Sequence, residues 1–145
     1  MLTVGRFLFV IPIGFILACY AGAFALLWPF LDSSNITTDD PVMLFQLFLL
    51  FTAQAAQIGS NVVIGWGLFM IVSELMRYSS LLLHAGLGLV SGFVFSQSIE
   101  QEGAGQMSVR FAVVMAGLAF GLVYWLIAGR NAGNWRRKPV LTEET

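Results

Sequence analysis

The stretch Val42–Met76 constrains this chain more than any other: 35 residues, predominantly apolar, with polar side chains along one side. As a helix rising about 1.5 Å per residue it would reach roughly 52 Å, against a bilayer hydrocarbon core of about 30 Å. A segment of that length has to tilt, protrude or break. With successive residues about 100° apart and Gln46 set at zero, Gln57 falls near ~20°, Asn61 near ~60° and Gln54 near ~80°. The four amides Gln46, Gln54, Gln57 and Asn61 therefore share one stripe. An amide facing lipid without a partner costs several kcal/mol, so the stripe is expected to face other helices, another subunit or a water-filled cavity.

Near the middle of this stretch lies Gly59-Ser60-Asn61. Glycine weakens a helix interior and a Gly-Ser pair is a kink site, so the second helix is expected to be unusually long or kinked near Gly59–Asn61. A full break would leave two half-helices whose free backbone groups hold ions or substrates, as in discontinuous transporter helices. The plainer role for the stripe is hydrogen bonding between helices, worth about 0.6 kcal/mol per contact in membranes.

Composition extends the argument to the whole chain. Hydrophobic residues make up 58%, charged residues 10%, and the mean hydropathy is +0.84, whereas soluble domains carry about 25% charged residues. Four apolar segments, about 7–30, 41–76, 80–99 and 109–129, take up nearly all of the 145 residues. They predict an all-α membrane protein: a four-transmembrane-helix bundle of up-down topology. It forms one integral membrane domain over 1–145 with a short basic tail at 130–145. The net charge of −1 and the lack of a long basic run leave no nucleic-acid surface.

Small residues recur every four positions on three of these segments: Gly14, Ala18 and Gly22; Gly88, Gly92 and Ser96; Gly117 and Gly121. Such spacing places small side chains on one helix face, where a neighbouring backbone can approach closely. The short turn containing Arg77 predicts that helices 2 and 3 form an antiparallel hairpin, with Glu74 and Arg77 anchoring its end at the membrane interface. Thr38 or Asp39 is expected to cap helix 2 ahead of Pro41. Ser108 is the expected cap of helix 4, and Arg110 is expected to reach Glu100 or Glu102. Tyr124 and Trp125 suit an interfacial belt. Asn35-Ile36-Thr37 matches a three-residue glycosylation sequon, a pattern that also arises by chance.

Charge asymmetry sets the expected orientation. Four crossings put Arg6, Arg77, Arg130, Arg136, Arg137 and Lys138 on one side and Arg110 on the other, so both termini are expected in the cytoplasm. The setting expected for a multi-pass protein of this kind is a bacterial inner membrane. Its surroundings are membrane lipids.

Chemistry is sparse. The chain holds one histidine, His84, and one cysteine, Cys19. No cluster of ligands suits a metal, no pair of histidines suits haem, and no cofactor is expected. His84 has two readings, a structural hydrogen bond or a pH-sensing group, since imidazole titrates near neutrality. With no nucleophile beside a base, catalysis is not expected.

Two functions remain. The first is a non-catalytic accessory, scaffold or assembly subunit of a larger membrane complex, acting through helix–helix contacts with other integral membrane subunits. The alternative is a small homo-oligomeric channel or transporter with a polar path along helix 2.

Overall fold

The computed structural model describes residues 6–31, 40–76, 79–98 and 106–131. These are all-helical, with four long helices and no strand. A π-helical turn, Arg6–Val10, leads into α1 (Ile11–Leu27), which continues through a 3-10 turn at Trp28–Phe30. Pro12 accounts for the wide first turn: it offers no N–H to the carbonyl four residues back, and a π turn pairs carbonyls one residue further on. Pro29 then tightens the far end.

Helix α2 (Pro41–Met76) is a single unbroken α-helix of 36 residues. Among the described residues its cap is Asp40; the expected caps Thr38 and Asp39 lie outside them. The Asp40 carboxylate accepts the Val42 and Met43 N–H groups at 2.9 and 3.4 Å, as an N-cap side chain should. The expected kink site is used differently. Gly59 lets α1 come close, since a Cβ there would lie 3.3 Å from Cys19 Sγ, and Ser60 turns its hydroxyl back to the Gln57 carbonyl at 2.9 Å. Glycine therefore serves the α1–α2 contact while the helix runs on.

Helix α3 (Leu81–Gln97) has 17 residues, shorter than the expected 80–99. Helix α4 (Gln106–Ile127) has 22 and ends in a 3-10 turn, Gly129–Asn131. Three stretches, Leu8–Phe30, Pro41–Met76 and Val109–Ile127, are long and apolar enough to cross a membrane, and Leu81–Gln97 is a shorter apolar helix. At about 1.5 Å per residue α3 reaches roughly 25 Å.

Close backbone packing joins α1 to α2, α1 to α4, and α3 to α4. Chain direction alternates: Gly14 lies beside Ala128 and Gly22 beside Ala116, so α1 and α4 are antiparallel. On the other flank of α4, a Cβ on Gly88 would strike the Gly117 carbonyl, one on Gly92 would come within 2.8 Å of the Val113 carbonyl, and one on Gly121 would strike the His84 carbonyl. The small-residue faces of α3 and α4 thus meet each other, with Ser96 also buried and its hydroxyl on the Phe93 carbonyl. Ala18, on the α1 face that carries Gly14 and Gly22, is fully buried. These contacts make α4 the central helix, its inward positions Ala112, Ala116, Phe120, Tyr124 and Ala128 spaced by four.

The neighbours in sequence, α2 and α3, form no comparable seam. The expected tight hairpin is therefore splayed. Large aromatic side chains bridge it at one level: Trp66 meets Phe120 and Tyr124 edge-on, with ring centroids 4.7 and 5.4 Å away, and Phe69 meets His84 at 5.0 Å. Such rings fill a gap between backbones that small residues would have closed.

Candidate functional site

Above that aromatic layer the space between α2 and the α3–α4 pair stays open as a cavity of about 250 Å³. Gln54, Gln57 and Asn61 of α2 line it, opposite Ser91, Gly92 and Phe95 of α3 and Val113 and Ala116 of α4; Trp66 and Phe120 also line it. Three of the four stripe amides are therefore brought together. Gln46 is exposed and takes no part in the lining, because it sits two turns nearer the Pro41 end of the helix.

The amides stand at different depths: Gln54 is half-buried, while Gln57 and Asn61 are exposed. Their side chains make no hydrogen bond to any described residue. Ser91, by contrast, has already given its proton to the Leu87 carbonyl at 2.8 Å. Trp66 is only 4% exposed, and its indole N–H has no acceptor among the described residues. Among the described residues, no ionisable side chain lines the cavity. What the described residues offer is a set of uncharged hydrogen-bonding groups on mainly apolar walls, which suits recognition.

His84 packs on the aromatic layer, against Phe69 and Tyr124, and does not line this cavity. It is fully buried, its Nδ1 2.9 Å from the Ser80 carbonyl, and its ring sits between Phe69 and Tyr124. The Nδ1 contact implies a proton on that nitrogen. Nε2 has no partner among the described residues and faces Gly129, where a Cβ would come within 2.8 Å of it.

Other sequence expectations change place. Tyr124, expected at the interface, points inward against Trp66 and His84 and is buried. Trp125 is half-buried and donates its indole N–H to the Ser79 carbonyl at 2.8 Å, tying α4 to the start of α3. Glu74, expected with Arg77 as an anchor at the membrane interface, is buried beside Ser73 near the end of α2. Arg77, Arg136, Arg137 and Lys138 lie outside the described residues, as do Asn35, Glu100 and Glu102 and the side chain of Ser108. No group of three or more metal-ligating side chains occurs among the described residues.

Sequence reasoning missed Trp66, Ser91 and Phe95 as parts of the site. A tryptophan in mid-helix was the available signal for the first, but on the helical wheel it lies well away from the amide stripe. Its contribution depends on α4 being across the gap. Comparison with models of known protein families, with curated proteins and with solved structures finds no match to this chain.

Proposed function

We propose that this chain is a multi-pass integral membrane protein that acts as a non-catalytic accessory or assembly subunit, with the open side of α2 as its contact surface. In this reading α3 makes a fourth crossing, supported by its antiparallel pairing with α4 along its length, beside one of the three helices long and apolar enough to span a membrane. The basic residues then favour cytoplasmic termini, and a bacterial inner membrane fits that arrangement.

The observation that carries the reading is the unclosed seam between α2 and α3. Hydrocarbon cannot satisfy the amides at its mouth, whereas a helix from another subunit presenting polar or small side chains can. Around the rest of α2 the surface is apolar and open, with Ile64 77% and Leu68 62% exposed, as a lipid-facing helix requires.

A small homo-oligomeric channel or transporter with a polar path along α2 is the weaker reading. A polar path along α2 would have to pass the layer of Trp66, Phe120 and Tyr124, and the unbroken helix offers no free backbone groups at mid-membrane. Extraction of the native complex in mild detergent, followed by mass spectrometry, tests the proposal. A stoichiometric foreign membrane subunit, lost in a Gln57→Leu/Asn61→Leu variant, is the expected result; a monomer, or a pure homo-oligomer that conducts a solute, would refute it.

A further inference from the structure

We propose that the cavity between α2 and the α3–α4 pair binds the uncharged, carbonyl-bearing head of a membrane lipid, chemistry shared by quinone rings and acylglycerols. The inference rests on the membrane-embedded reading and holds with or without a partner subunit.

Volume sets the first limit. About 250 Å³ exceeds the roughly 150 Å³ that accommodates a benzene ring and falls below the ~300–1,000 Å³ of drug-sized pockets. A substituted ring or a compact ester head fits. A whole helix does not, so a partner helix would cover the mouth and leave the recess behind it.

Charge sets the second limit. With no ionisable side chain among the described lining residues, a phosphate or ammonium head would meet no counter-charge from them, and burying an unpaired charge is strongly unfavourable.

Hydrogen bonding then selects the polar group. Each amide of Gln54, Gln57 and Asn61 brings two N–H donors and a carbonyl oxygen that can accept twice. The Ser91 proton is already engaged with Leu87. The amide N–H groups have no acceptor among the described residues, so a ligand carbonyl oxygen at the rim satisfies donors that hydrocarbon leaves unpaired. The donors a ligand can reach are those of the amides up to Asn61, since the Trp66 indole nitrogen is itself buried. A quinone ring or an ester head can each present a carbonyl oxygen at that level. Entry is lateral, since α2 and α3 are not sealed to each other, and the lipid tail remains in the bilayer.

The test uses the full chain in lipid nanodiscs, with Trp28→Phe, Trp125→Phe and Trp135→Phe so that Trp66 alone reports. Ubiquinone-1 should quench its emission saturably. The half-saturating concentration should rise at least tenfold in Gln57→Leu/Asn61→Leu, with unchanged helical circular dichroism. The separate replacement Val113→Phe, which fills the recess from α4, should weaken binding similarly. Dioleoylglycerol forms the second arm. If it binds saturably and excludes the quinone, the shared site stands and the acylglycerol is its ligand. Quenching that does not saturate, or that is equal in parent and all variants, overturns the site while the membrane reading survives. Failure of the chain to enter nanodiscs overturns the membrane reading itself.

Discussion

The two flanks of the bundle solve the same packing problem in opposite ways. Between α3 and α4, Gly88 and Gly92 lie against Gly117 and Gly121 so closely that added methyl groups would meet backbone atoms. Between α2 and α4 the backbones stand apart, and Trp66 reaches across to Phe120 and Tyr124. Close backbone contact gains dispersion over the whole seam and leaves no space for a ligand. Bridging by large rings stabilises one level and leaves the adjoining level open. The candidate site exists because the bridge covers only part of the gap.

Removing the bridge should have the largest effect. Trp66→Ala deletes a buried ring that touches Phe69, Phe120 and Tyr124, and about 3–5 kcal/mol of stability should be lost. Reversible unfolding in mixed micelles would measure it, and a loss below about 1 kcal/mol would mean that the bridge is dispensable.

Next comes the tight flank. Gly88→Ala drives a methyl into the Gly117 carbonyl, and separation of α3 from α4 should cost about 1–3 kcal/mol in the same assay. Gly86→Ala is its control on the same helix, because a Cβ there meets nothing within 4 Å. With only helix propensity at stake it should be neutral or stabilising by up to about 1 kcal/mol. Equal losses in the two variants would contradict the assignment of Gly88 to the seam.

The smallest effect concerns α1 and α2, where the Tyr20 hydroxyl and the Thr52 hydroxyl lie 3.1 Å apart. Thr52 also donates to the Phe48 carbonyl at 2.8 Å, which leaves the tyrosine as the donor between the helices. Tyr20→Phe should destabilise by only about 0.6 kcal/mol. A thermal shift comparable with that of Trp66→Ala would point to a larger role for this contact.

Much of this architecture was legible in the residues. Length and apolarity marked the helices, and four-residue spacing marked Gly14, Gly22, Gly88, Gly92, Gly117 and Gly121 as close-approach positions. Helical angles grouped Gln54, Gln57 and Asn61, because the angle between side chains on one helix depends on local geometry alone. The same arithmetic admitted Gln46 to the group, since an angle carries no information about how far along the axis a cavity extends. It also assigned Tyr124 to an interface that the bundle turns inward.

Tertiary structure decided which faces meet and which remain apart. A short turn between α2 and α3 was expected to bring them together, yet α4 takes the glycine face of α3 and α1 takes the near side of α2. Gly59 was read as a possible hinge, but with Cys19 across from it the glycine accommodates a neighbouring helix instead. Sequence by itself determined the number and character of the helices and the polar stripe on the longest, because these follow from local hydrogen bonding and hydrophobicity. Only the tertiary structure decided that the stripe borders an open cavity with Trp66 in its lining, because a gap between helices is set by the volumes of side chains that are far apart in the chain.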